Sequence, residues 1–460
     1  MMLINTFVLG AILTAVQTPQ MFTEADRTAA MDYWREPGRY SVVPPKEFKS
    51  KGLWQVRLTV AGSTWLWNFN KARGVAMKPT TDMTGNTERD KIWDAWIDAK
   101  VARDRWEAGQ IAANANMTVV GDAPSVADTT VPNDEPKDPG PLPADLVAFI
   151  QQPYITPVGG VPMTNPALGD PPPFAEAVVP MEYHIKFDDG TELTYQDNTK
   201  MRAKYAYYRF DEGVTAAGRP VKSVSSKDLD GLIKMAGITD SEAKVMKAVS
   251  ILEGGFDSVN TYDTGFVSVG FIQFASLKEG AGSLGKMLLD YKSNDPGGFQ
   301  KDFRKYGLDV TPMGSLTALD VNTGMEVQGA DANRQIIRDK RLIAVFQRAG
   351  LKSATFNAAQ IRTAKTQYYP AEDTVDIGIG AISLTGRVSD FIKSEAGMAT
   401  LMDRKVNTGT FGPLSTILQK LALEKSVKSF SDFAKYERQI VEGLKYRKDY
   451  LADKSLSQPK

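Results

Sequence analysis

The chain has 460 residues, 42% of them hydrophobic and 24% charged, which is enough for two to four domains with sizeable cores. Its 55 Lys and Arg balance 55 Asp and Glu, which argues against a nucleic-acid partner held by bulk positive charge. With no cysteine and a single histidine, His184, there is almost nothing from which to build a disulfide, a thiol nucleophile, a Ser-His-Asp triad or a multi-ligand metal centre. No cofactor and no metal are expected, and any catalysis falls to carboxylates, hydroxyls and amides.

Leu3 to Val16 is an apolar run, short for a bilayer span and suited to the hydrophobic region of a secretory signal. No basic residue precedes it, the first being Arg27, so residues 1–18 read either as a signal peptide or as a docked N-terminal helix. The expectation is a secreted or cell-envelope protein without a stable membrane span. Residues 23–34 read as a helix capped by Thr23. Residues 53–60 and 64–70 alternate around Ala61-Gly62-Ser63, which predicts a hairpin carrying Trp54, Trp65, Trp67 and Phe69. Residues 87–113 have the spacing of a charged amphipathic helix. All seven tryptophans lie between Trp34 and Trp106, so 19–118 reads as a Trp-rich α+β module with its own aromatic core. Exposed, such a core is a platform for sugar rings; packed inward, it is a core and nothing more.

Residues 121–180 hold 14 of the 25 prolines, a density that predicts neither a helix nor a central strand. The stretch 119–180 is expected to be a semi-extended linker with one apolar patch, LVAFIQQPYI. Residues 181–222 form a small tyrosine-rich β element in which His184 is an ordinary strand residue. From 226 to 452 the texture is helical, ending in an amphipathic helix over 431–452 and a frayed tail. The acidic run Glu372 to Asp376 reads as a solvated loop, and Gly378 to Ser383 as a bend between helices.

The informative stretch is 251–276. Thr239 and Glu242 make a capping box for a helix whose stripe is Val245, Met246, Val249 and Leu252. Glu253 follows in the last turn, before Gly254-Gly255. A carboxyl at a helix C-terminus beside apolar side chains is expected to have a raised pKa, which suits a general acid. Ten residues on, Asp263 lies in a turn, and FVSVGFIQF then alternates as a strand pair bearing Ser268 and Gln273. Two facing carboxyls of this kind are what glycoside hydrolysis needs.

Glu253-Gly254, Tyr262-Asp263-Thr264, Gly265 and Ser268-Val269-Gly270 resemble the catalytic signature of phage-type lysozymes. The resemblance implies that Glu253 is the general acid, that Asp263 positions water or stabilises the oxocarbenium-like state, and that Ser268 stands where the family has a water-holding threonine. SVGFIQF is similar to the Gly-x-x-Gln strand of goose-type lysozymes and lytic transglycosylases, which places Gln273 in the cleft with Tyr262 and Phe266. The pairing of Glu with a hairpin Asp is also similar to chitosanases. Asp403-x-x-x-Asn407-x-Gly409 looks like the end of a second-lobe helix of cell-wall hydrolases, with Asn407 donating to sugar. The sequence departs from the phage pattern in its Glu-to-Asp spacing, in a shorter turn after Asp263, and in the absence of a family histidine near Gln273.

The implied architecture is α+β: a mainly helical, two-lobed, lysozyme-like C-terminal domain with a small hairpin at the site, preceded by small β-containing modules. The implied activity is cleavage of peptidoglycan glycan strands with inversion. The alternatives are a chitosanase-like hydrolase and a non-catalytic wall-glycan binder on the same scaffold. The expected partner is a polysaccharide, and the sequence leaves the oligomeric state open.

Overall fold

The computed structural model describes residues 20–43, 53–59, 61–62, 64–65, 68, 88–114, 118–120, 138–150, 169–178, 181–196, 215–261, 265–379 and 382–460. Tyr262 and Asp263 therefore lie outside the described residues, as do the apolar run 3–16 and the tyrosines 205–208. The fold is mixed α+β, with helices and several small sheets. Among the described residues no helix is long and apolar enough to cross a membrane.

Among the described residues, Trp34 does not share a core with Trp65 and Trp96. Helix Glu24–Arg35 has the expected Thr23 cap, closed into a box by Asp26. Its Trp34 packs edge-on against Phe187 at 5.6 Å and donates its ring N–H to the Tyr306 carbonyl at 3.0 Å. Strand Tyr40–Val43 pairs antiparallel with Glu182–Lys186, which pairs with Glu192–Gln196. Residues near the start of the chain and the element around His184 thus belong to the main hydrophobic core that runs to Leu456. A compositional run is a statement about sequence distance, and the Trp34 indole N–H finds its acceptor at Tyr306, 272 positions away.

A second sheet places strand Leu53–Leu58 between Thr118–Val120, parallel, and Ala175–Val178, antiparallel. The predicted hairpin does not form: Ala61, Gly62, Thr64 and Trp65 are helical. Trp65, Trp96 and Phe174 instead pack ring to ring at 5.6–6.0 Å, with Trp96 on helix Glu88–Asn114. The described parts of the proline-rich stretch carry helix Ala144–Ile150 and edge strand Ala175–Val178, where a semi-extended linker was expected. The prolines beside these two elements sit where they do no harm. Pro141 and Pro143 precede the helix, and Pro171 to Pro173 precede an edge strand, where no ladder N–H is lost. Asp104, held by Lys100, accepts the Phe174 N–H at 2.6 Å and pins the strand to the helix.

The rest of the chain builds the region around Glu253. Thr239 and Glu242 close the capping box of helix Asp240–Ser250, and Val245, Met246 and Val249 are buried as the stripe predicts. Leu252 is instead 37% exposed, because the helix stops at Ser250 and the following turn swings it outward. A four-stranded antiparallel sheet follows, in the order Phe274–Ala275, Ser268–Val269, Val259–Asn260, Ala216–Ala217. Strands Leu308–Val310, Leu316–Leu319 and Glu326–Gln328 make another small sheet.

Strands Thr374–Ile379 and Ile382–Arg387 pair antiparallel in place of the expected helix bend; of the acidic run, Glu372 and Asp376 are exposed as expected, but from Thr374 on it is strand and not loop. Asp373 and Asp376 are occupied by Lys405 and Thr385 at 2.5 and 2.6 Å. The 431–452 stretch is not one helix. It is a 3-10 turn over Phe430–Tyr436, a helix over Glu437–Gly443 and a second 3-10 turn over Tyr450–Ala452. The tail is not frayed either: Leu456 is buried, and the Ser457 backbone pairs with Glu395 and Ala396.

Candidate functional site

Glu253 lies one turn beyond helix Asp240–Ser250, its N–H donating to the Ser250 carbonyl at 3.0 Å. The two glycines after it are required by close approach. A Cβ on Gly255 would stand 1.9 Å from the Arg219 carbonyl oxygen, and one on Gly254 would stand 2.8 Å from Ser258 and 3.1 Å from the Gln273 amide. Packing therefore demands the Glu-Gly-Gly that reads, in sequence, as a helix stop.

The Glu253 side chain is 13% exposed and is not solitary. Arg447 donates to its Oε1 at 2.5 Å, and Asn407 donates to the same atom at 3.3 Å. Arg447 is shared, since it also contacts Asp403, through Nε at 2.9 Å and through Nη2. Asp403, only 1% exposed, takes the larger part of the guanidinium. One cation thus faces two carboxylates, which leaves the pair undercompensated. Burial pushes the Glu253 carboxyl above the ordinary range, and the nearby Asp403 charge adds to this; Arg447 and Asn407 pull the other way without cancelling it. A short arginine contact alone would predict a lowered value, but burial outweighs it and sets the net direction. Tyr368 and Tyr450 lie close enough for the Glu253 charge to add to their own burial-raised pKa values.

Asn407 and Asp403 come from helix Glu395–Thr408, one turn apart on one face, and Asn407 donates to the Asp403 carbonyl at 3.0 Å. The Asp-x-x-x-Asn spacing carried that signal. Arg447 carried none: it is 194 positions from Glu253 in a turn-rich segment. Asp403 belonged to the recognised spacing, yet its charge role appears only once Arg447 is placed.

Of the remaining predicted residues, Ser268, Phe266 and Gln273 lie in or beside the four-stranded sheet, and Tyr262 and Asp263 lie outside the described residues. Ser268 is buried in its strand and pairs in register with Asn260 and Ala275. Gln273 is in the turn before Phe274, with φ 53°, and not on a strand. Its carbonyl oxygen accepts from Asn260 at 2.6 Å and its amide donates to the Gly270 carbonyl at 2.8 Å. Phe266, φ 62°, is half-buried against the core. Gln273 thus abuts the Glu253-Gly254 turn, and Ser268 is one strand partner away. Ile251 and Leu252, just before Glu253, are 62% and 37% exposed. Among the described residues no group of three His, Cys, Asp or Glu side chains stands close enough to hold a metal ion.

A half-buried carboxyl of raised pKa can deliver a proton to a leaving oxygen. A guanidinium and an amide on the same oxygen fix its direction. No protein-family model, curated protein or solved structure matches this chain.

Proposed function

We propose that this protein is a glycoside hydrolase that cleaves the glycan strands of peptidoglycan on a lysozyme-like, two-lobed scaffold. The reading is carried by one observation: the Glu253 carboxyl is pushed above the usual carboxylate range by burial although Arg447 lies beside it. Glu253 gives its proton to the glycosidic oxygen. Asp263 is assigned the attacking water on the opposite face, which inverts the anomeric centre; Ser268, buried in its strand, backs that face of the sheet. Gln273, Tyr262, Phe266 and Asn407 hold the sugar chain.

Peptidoglycan is the first substrate and chitosan the second; the chain balances 55 basic against 55 acidic residues, so bulk charge does not choose between them. A wall substrate implies a secreted or envelope location.

The test is digestion of purified sacculi followed by mass analysis of soluble fragments. A reducing muramic end supports hydrolysis, and an anhydro end redirects the reading to transglycosylation. Glu253→Gln should lower release by about 100- to 10,000-fold, the range of general acid catalysis. Full activity in that variant removes Glu253 from the role. A second reading, a non-catalytic glycan binder, is favoured by the ion pair itself, because a carboxyl held by arginine is not free to meet a substrate. It predicts that sacculi pull the protein down and that no fragment appears.

A further inference from the structure

We propose that Gln360 is a positioning residue for Glu253, an inference that rests on the glycosidase reading above. Gln360 is fully buried on helix Ala354–Tyr368. Its amide nitrogen donates to the Phe256 carbonyl at 3.0 Å, and its amide oxygen accepts the Phe271 N–H at 3.1 Å. Phe256 is three residues after Glu253. Phe271 lies in the turn between Ser268 and Gln273. One side chain therefore ties the turn that carries the acid to the turn of the sheet beside it.

A second linkage closes the loop from the other side. The Gly270 carbonyl accepts from Gln273, whose amide nitrogen stands 3.1 Å from where a Cβ on Gly254 would be. Residues 254–256 are thus held at both ends: by contact with Gln273 at Gly254 and by the hydrogen bond from Gln360 at Phe256. Gly270, φ 87°, fits this arrangement because a Cβ there would stand 2.1 Å from the Gln360 oxygen. A neutral amide donates and accepts at once across this gap, whereas Met and Leu lose the donor and an ionised Glu keeps only the acceptor.

The experiment compares wild type with Gln360→Met and Gln360→Glu on purified sacculi, beside an NMR titration of the Glu253 carboxyl. Leu418→Ala, a buried change on helix Leu414–Lys425, serves as a control for lost stability. Both Gln360 variants should lose about 100-fold in kcat with KM changed less than about threefold, as a displaced acid does, and the Glu253 midpoint should move. The control should keep both. Gln360→Glu retains the volume and the acceptor and is the variant to read if the methionine form does not fold. A folded Gln360 variant with wild-type kcat and an unmoved Glu253 midpoint overturns the proposal. If wild type itself releases nothing, the glycosidase reading fails, and the titration alone decides whether Gln360 fixes Glu253.

Discussion

Arg447 reaches Glu253 at 2.5 Å while bonding Asp403 from the same loop, so a single guanidinium serves two carboxylates on different elements. Asp403 is the more buried of the two, and its second oxygen has no hydrogen-bond partner. Asp403 therefore depends on Arg447 for its charge balance, and Glu253 receives what remains. Arg447→Met should cost about 3–5 kcal/mol by leaving Asp403 buried and alone. The same change removes the cation that lowers the Glu253 pKa, so the Glu253 titration should move upward. Chemical denaturation and an NMR titration of Glu253 measure the two effects. A variant that loses no stability would mean that the Arg447–Asp403 contact does not support the fold.

Activity should fall as pH rises through the raised Glu253 value, because the acid must be protonated to act. The stability linked to Glu253 has the same sign. It is present below the unfolded pKa and is lost as pH climbs through the folded one. A pH–rate profile on sacculi should show this descending limb in wild type, and Arg447→Met should carry it to higher pH.

The acid side is set by other groups. The Arg304 hydrogen bond holds Asp26 down from 3.8 to about 2, and Lys448 does the same for Asp453. Both folded values lie below the unfolded ones, so the stability they contribute is present above about pH 4 and is lost as pH falls toward 2. Urea midpoints measured down this range should drop for wild type and drop less for Asp26→Asn. An equal drop would mean that the Arg304 contact is not made in solution.

Gly255→Ala should destabilise by about 2 kcal/mol or more, because its methyl would press on the Arg219 carbonyl, which is backbone and cannot turn aside. Gly378→Ala, with nothing within 4 Å of the new methyl, should change stability by less than about 0.5 kcal/mol. Thermal melts of the pair check the contrast. Equal melting temperatures would remove close approach as the reason for Gly255.

Trp34→Ala should cost about 3–5 kcal/mol, the price of a large buried aromatic, and should loosen helix Glu24–Arg35 from Phe187 and Tyr306. Hydrogen exchange along 24–35 reports the loosening. A change confined to Trp65 and Trp96 would instead favour a single aromatic core.

Local signals were readable where they were local in cause. Thr23 with Asp26, and Thr239 with Glu242, are caps made within one turn, and both form. The Asp403–Asn407 spacing put two polar groups on one helix face, and Asn407 does reach Glu253. The aromatic hairpin failed because alternation over 64–70 describes a strand only if a partner strand is adjacent. Leu53–Leu58 instead finds its partners at 118–120 and 175–178. The tail failed for a similar reason. An amphipathic pattern over 431–452 says which residues are buried, and Phe433, Ile440 and Leu444 are; it does not say that one helix buries them.

The sequence by itself determined the caps, the buried stripe of the helix before Glu253, the glycines that must follow it, and the absence of thiol and multi-histidine chemistry. These depend on neighbours within a turn or on residue types alone. The tertiary structure decided that Glu253 shares its arginine with Asp403, that Gln360 ties two turns together, and that Trp34 packs against Phe187 and Tyr306. Each of these joins residues tens to hundreds of positions apart. Electrostatic and packing energies depend on distance in space, and the order of residues along the chain does not encode that distance.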